Sequence, residues 1–402
     1  MIYVKYLILG AGPSGLTLAN ALQDAGESSF VVLEKESEVG GLCRSSVVDG
    51  SPLDIGGGHF LDVKSQKVLD FLFRFLPRSE WCEFDRISRI NLKGSTIDYP
   101  LEANLWQLPF DRQLDYLESI AQAGCVRKQP MPEAFEEWIH WKLGGRIAED
   151  YMLPYNQKLW SMELSKLGTY WLHKLPDVSF RDTLLSCLQQ KSAGSVPAHG
   201  KFLYPKEFGY GEVWKRMASS LGERLVTECP VTELDVTKCT VNNYYCADTI
   251  ISTIPWPEIN KVASLPDSIC SAIDTLDYVS ITVDYVPERV DTDAHWIYEP
   301  DERCSYHRIL CRHNFLPGSR GHWTETNTRR SNFTSIWRHN NEYAYPVNTL
   351  QKPQAIKEIC EWGNNNRIIG MGRWGTWEHM NSDVAVASAL SMADHLATRR
   401  SS

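Results

Sequence analysis

Three glycines near the N-terminus have the types and spacing that phosphate chemistry needs. In Gly10-Ala11-Gly12-Pro13-Ser14-Gly15, Gly10 permits a tight turn, Gly12 lets main chain approach a pyrophosphate, and Gly15 lets a helix pack closely on a strand. A helix beginning here turns free N–H groups and its positive dipole end towards an anion. Glu34 lies nineteen residues beyond Gly15, where a carboxylate accepts hydrogen bonds from ribose hydroxyls. Glycines recur at Gly40, Gly41, Gly57 and Gly58. They leave room for main chain to approach a long extended ligand where Cβ atoms would clash. Arg44 reads either as a ligand for a cofactor phosphate or as a surface arginine.

The glycine motif must be held by a strand, a helix and a second strand. Residues 3–9 are apolar enough for a buried strand, Leu16 to Leu22 suit a helix, and Phe30 to Leu33 form the second strand, a βαβ unit. The N-terminus lacks a basic stretch and a small-residue cleavage site, so it reads as that first strand and not as a signal peptide. From 103 to 190 the periodicity turns helical, with Leu114, Leu117, Ile120 and Ala121 predicted as one apolar face. Residues 191–201 are small and polar and read as a loop. Strand alternation returns at 277–287 and 294–310, and a final helix is expected over 384–396. The fold class expected is α/β with α+β. A discontinuous Rossmann-like dinucleotide-binding domain (1–85, 191–260 and 345–402) carries a helical domain (103–190) and an antiparallel-sheet substrate domain (86–102 and 261–344).

Composition sets outer limits. A chain of 402 residues implies two or three domains at roughly 100–200 residues each. The net charge of −9 disfavours a nucleic-acid partner, which calls for a basic surface. No apolar run reaches the ~18 residues of a membrane span. The eleven cysteines include no CxxC pair and no zinc spacing, so no metal is expected and the cysteines read as reduced and cytoplasmic.

With Asp54-Ile55-Gly56-Gly57-Gly58-His59 following Gly40-Gly41, the N-terminal region resembles the glutathione-reductase-like FAD proteins of the amine oxidase and nucleotide-sugar mutase groups. Further stretches extend the likeness. These are Tyr99-Pro100-Leu101-Glu102-Ala103-Asn104, Pro154-Tyr155-Asn156-Gln157-Lys158-Leu159-Trp160, Tyr298, Arg308, Tyr345-Pro346 and Gly372-Arg373-Trp374-Gly375. Together and in order they resemble the UDP-galactopyranose mutase family. The resemblance implies FAD, active when reduced, with NAD(P)H open as reductant. It also implies attack by the flavin N5 on the anomeric carbon of a UDP-galactose-like substrate, and pyranose–furanose interconversion without net redox change.

By the same resemblance, Arg308 and Tyr345 contact the diphosphate, Tyr99 and Asn104 lie in the uridine pocket, Asn156 and Trp160 match sugar- and flavin-side positions, and Tyr298 binds substrate. His59 lies beside the flavin, Gly372, Arg373, Asn381 and Asp383 approach it, and Val231 meets the adenine. Four positions depart from the family pattern: Lys174 stands for an arginine, His379 for a tyrosine, Glu102 for a glutamine and His199 for an asparagine. Lysine lacks the bidentate fork of arginine, and an ionised Glu102 accepts but cannot donate. His59, Arg308 and Lys174 are the expected catalytic groups. Trp138, Trp141 and Trp171 read as packing residues. The departures leave an FAD oxidase or dehydrogenase of amine-oxidase type as the alternative, and a homo-oligomer stays open.

Overall fold

The computed structural model of the chain describes residues 1–402 except 63, 173–176, 195–199, 333 and 399–402. Its first sheet is ordered Leu225–Val226, Phe30–Leu33, Ile2–Leu9, Tyr245–Ser252, Thr240–Val241, Leu234–Asp235, with Ile368–Gly370 also on Tyr245–Ser252. Its central strands are parallel: Ile8 lies opposite Val32 on one side and Ile251 on the other. Parallel strands are covered on both faces, which is why Tyr6–Leu9 and Phe30–Leu33 are continuously apolar and buried. Strand alternation divides them: Ile8 and Val32 enter one core, Leu7, Leu9, Val31 and Leu33 the other. On the first face the helix Pro13–Asp24 packs against Ser382–Thr398 and Gly211–Ser219.

The second large sheet runs Arg338–Pro346, Tyr278–Val286, His322–Asn327, Arg308–Leu310, Trp296–Tyr298, Ser88–Leu92, Ser95–Asp98. It is antiparallel except where Trp296–Tyr298 meets Ser88–Leu92. Lys201–Pro205 pairs with Leu61–Asp62 and Trp81–Asp85 in a three-stranded sheet. Of the four α-helices Phe110–Ala121, Phe135–Ile147, Leu153–Trp160 and Phe180–Gln189, the second and third line a cavity beside the second sheet.

The first of these helices departs from the predicted face at one position: Ile120 is buried and Leu117 and Ala121 are half-buried as that face requires, but Leu114 is not. Gln113, Tyr116 and Ile120 are buried, and Leu114 is exposed. Gln113 is drawn inward because its amide donates to the carbonyls of Trp106 and Leu108, at 3.2 and 2.7 Å. The eleven cysteines are unpaired. Among the described residues no helix is long and apolar enough to cross a membrane.

Candidate functional site

A cleft of about 540 Å³ opens at the carboxyl ends of the parallel strands. Gly10, Gly12, Glu34, Gly41, Arg44 and Val231 line it. The turn that forms it is dictated by sterics: a Cβ on Gly15 would stand 2.0 Å from the Gly10 carbonyl oxygen, and Gly10 itself has φ +98°. Gly12 differs, since a Cβ there would meet no protein atom within 4 Å. The helix Pro13–Asp24 has no side-chain cap and no acidic residue in its first turn, so its N-terminal N–H groups are left to a ligand. Glu34 accepts from the N–H groups of Ala11 at 2.8 Å and Glu36 at 3.0 Å. It therefore shapes the turn as well as facing the cleft. Arg44 lines the cleft, with its Nε donating to Gly41 O at 3.1 Å. Gly40 and Gly372 support the cleft from behind: Gly40 N donates to Ala11 O, and a Cβ on Gly372 would strike Ser14 Oγ. This cradle, open at Gly12 with uncapped N–H groups behind it, fits the pyrophosphate of a dinucleotide such as FAD.

A second cavity of about 330 Å³ shares His59, Arg373, Asn381 and Ser382 with the cleft, so the two abut. Arg308 sits on the strand Arg308–Leu310, in register with Glu325 of the next strand. Arg308 Nε donates to Glu325 Oε2 at 2.9 Å, Nη2 donates to the same oxygen, and Nη2 also reaches Tyr345 Oη at 3.4 Å. Glu325 is fully buried, and its other oxygen accepts from Gly58 N at 2.8 Å. Gly57 is glycine because a Cβ would lie 2.4 Å from that carboxylate. A hydrogen-bonded network thus ties the arginine to the turn that carries His59.

His59 is held neutral: burial and the charges of Arg373 and Arg308 push its pKa down to about 3 against a weaker pull from the Gly57 carbonyl. Its Nδ1 lies 3.2 Å from Gly57 O, which can only accept, so Nδ1 carries the proton and Nε2 is an acceptor. Arg373 also lines the cavity, its guanidinium donating to the carbonyls of Ala344 at 2.8 Å and Met380 at 2.7 Å. Arg86 lies between the rings of Tyr99 and Trp296, 4.5 and 4.8 Å from their centroids, and donates to Tyr298 Oη at 3.1 Å. The His379 ring is 4.9 Å from that of Tyr345.

The structure therefore brings Tyr99, Glu102, Asn156, Trp160, Tyr298, Arg308, Tyr345, His379, His59, Gly58, Arg373 and Asn381 onto one cavity. It does not bring Asn104 there. That side chain is buried and donates to Pro100 O at 3.0 Å, closing its own turn. Asn156 reaches the wall with its amide engaged, donating to Met152 O and accepting from Trp160 Nε1, so it holds the indole in place. Asp383 lies in the first turn of the last helix and lines neither cavity. Lys174 and His199 lie outside the described residues, as do residues 195–199 of the 191–201 loop.

Sequence reasoning missed Arg86, Glu325 and His307. Arg86 and His307 line the cavity, and Glu325 is found only through sheet register. Trp138 and Trp171 pack as expected but also line the cavity. The one sequence signal for Glu325 was a charged residue within the strand His322–Asn327, every residue of which is buried.

A glycine-turned dinucleotide cleft abutting an arginine-lined cavity is the plan of a two-cavity flavoprotein. The chain belongs to the family of flavin-containing amine oxidoreductases, whose sequence profile matches residues 13–286. Its fold is that of a solved reduced UDP-galactopyranose mutase, with a TM-score of 0.87 and 21% identity over 98% of this chain and 94% of that one. A UDP-galactopyranose mutase of Mycoplasma pneumoniae is 32% identical over 78 residues, 19% of each chain. An uncharacterised protein of Methanothermococcus thermolithotrophicus is 49% identical over 53 residues, 13% of this chain and 50% of that protein. The matches thus span about half of one curated relative and about a fifth of the other.

Proposed function

We propose that the chain is a mutase-like FAD enzyme that interconverts the pyranose and furanose forms of a nucleotide-activated sugar with no net redox change. The observation that carries this reading is charge. Arg86, Arg308 and Arg373 line one cavity beside the cofactor cleft, in a chain of net charge −9. A diphosphate answers that lining, and a protonated amine is repelled by it. The Gly12 turn, Glu34 and the uncapped helix N-terminus would hold FAD, which when reduced supplies a nucleophilic nitrogen for the anomeric carbon.

The protein's own residues do the rest. Arg308 and Tyr345 bind the diphosphate, whose charge grows as the anomeric bond opens, so a fixed cation there favours the transition state over the ground state. Glu325 holds the guanidinium from behind. His59 offers a neutral Nε2 acceptor to a sugar hydroxyl, and Trp160 with its aromatic neighbours excludes water.

The test is anaerobic. The bound flavin is reduced with dithionite, standing in for NAD(P)H as candidate physiological reductant. UDP-linked and GDP-linked galactopyranose are added separately, and ring isomers are followed by anion-exchange chromatography. Interconversion that requires reduced flavin is the expected result. Turnover with flavin held oxidised, or none with either nucleotide sugar, overturns the reading. The family match favours a second reading, net oxidation of amine-oxidase type. It predicts substrate-dependent flavin bleaching and hydrogen peroxide on reoxidation.

A further inference from the structure

The arginine-lined cavity has two ends. One shares His59, Arg373, Asn381 and Ser382 with the cofactor cleft. The other shares Glu102 and Leu143 with a third cavity, and no residue is common to that third cavity and the cleft. Glu102 therefore marks the end remote from the cofactor. Flat apolar faces from one helix also line this cavity: the rings of Phe135 and Trp138 lie within 19° of parallel, 6.0 Å apart. Such faces suit a planar heterocycle.

Among the described residues, no side chain donates to the Glu102 carboxyl, so most of its lone pairs are unspent. Burial raises its pKa, and the neighbouring Lys142 charge pulls it back down. Lys142 lines the adjoining cavity on the same helix as Phe135 and Trp138 and is paired with Asp177, but an ammonium has three donors.

We propose that Glu102 makes this end of the cavity a guanine site, so that the activated sugar is carried on guanosine diphosphate. The inference rests on the nucleotide-sugar reading and names its base. A carboxylate accepts on both oxygens, and guanine presents two adjacent donors, N1–H and the 2-amino group, with O6 beside them for Lys142. Uracil presents one N–H between two carbonyls, so the second carboxylate oxygen meets an acceptor. Adenine and cytosine set their amino group beside a ring acceptor.

The experiment titrates the flavin-loaded protein with GDP and with UDP at about pH 8, which favours the ionised carboxyl. Binding is read from tryptophan fluorescence, since Trp138, Trp160 and Trp171 line the cavity. GDP is expected to bind about tenfold to a hundredfold more tightly than UDP, the margin of a good bidentate base contact. In Glu102→Gln that ratio falls towards one, because an amide's one donor and one acceptor match the adjacent carbonyl and N–H of uracil and of guanine alike. Wild-type protein that binds UDP as tightly as GDP overturns the guanine assignment. So does a ratio that survives Glu102→Gln in protein retaining its flavin. UDP binding that is lost in Arg308→Ala but shows no guanine preference sinks this inference alone. Binding of neither nucleotide sinks the nucleotide-sugar reading with it.

Discussion

The cofactor cleft and the arginine-lined cavity meet at His59, Arg373, Asn381 and Ser382, yet they are made from different material. The cleft is main chain. Its shape comes from Gly10 and Gly15 packed against each other, and its anion site from the uncapped start of Pro13–Asp24. The cavity is side chain. Its charge comes from arginines on separate segments, each fixed by partners far away in sequence, as Arg308 is by Glu325 and Tyr345. A main-chain site tolerates almost no added atoms but is indifferent to most side chains. A side-chain site tolerates changes of backbone neighbours and is lost with a single head group.

The pair Gly15→Ala and Gly12→Ala tests the first half of that contrast and carries the largest effect. In Gly15→Ala the new methyl would stand 2.0 Å from the Gly10 carbonyl oxygen, a main-chain atom, so strand and helix must be forced apart. A loss of about 3 kcal/mol or more is expected from such overpacking, together with loss of flavin. Gly12→Ala places its methyl in open space. Its stability should stay within about 0.5 kcal/mol while flavin retention falls. Urea unfolding and flavin absorbance per chain read the two separately. A Gly15→Ala protein that keeps its flavin, or a Gly12→Ala protein that binds it normally, breaks the contrast.

Arg308 tests the second half. Arg308→Ala is expected to weaken nucleoside diphosphate binding by about 2–5 kcal/mol, with flavin retained. It should also destabilise the fold by about 3–5 kcal/mol, because Glu325 is left buried without its partner. The double variant Arg308→Met/Glu325→Gln should recover most of the stability and none of the binding, since the glutamine still accepts from Gly58 N. Recovery of binding in the double variant would show that the cavity's affinity does not reside in the guanidinium.

The same contrast governs what the sequence could disclose. The Gly10-to-Gly15 turn and Glu34 were legible because a main-chain site needs fixed residue types at fixed short spacing. Arg308 was singled out only by resemblance, and Glu325 not at all, because their pairing is set by sheet register between strands with no motif of their own. Trp138 and Trp171 carry core-like helical spacing, and a buried cavity wall has the same periodicity as a core. Asn104 sits in a quoted motif but turns inward to its own loop, which spacing cannot foretell. Gln113 displaced Leu114 from the buried face through two hydrogen bonds that hydropathy does not count.

In the unaltered protein the smallest net effect is expected where the two regions join, between Asp54 and His59, because two opposed pH dependences offset each other there. Asp54 accepts from Ser45 Oγ at 2.5 Å, Tyr204 Oη at 3.0 Å and Tyr210 N at 3.2 Å, yet burial pushes its pKa from 3.8 up to about 7. The folded state thus holds this proton longer than the unfolded chain does. Its contribution to stability is full at low pH and is lost as pH rises towards about 7. His59 has the opposite sign. Its folded pKa of about 3 lies below the ordinary 6.5, so its contribution is full above 6.5 and is lost as pH falls towards about 3. Across the shared window the two slopes oppose each other, at most about 1.4 kcal/mol per pH unit each. Asp54→Asn should expose the histidine term, with stability relative to wild type falling as the solution is acidified. His59→Gln should expose the carboxyl term, with relative stability falling as pH is raised. Urea midpoints of flavin-loaded protein across that window measure both. If the two variants slope the same way, then the scaffold side and the cavity side of this strip are not electrostatically opposed, and the boundary between the two regions lies elsewhere.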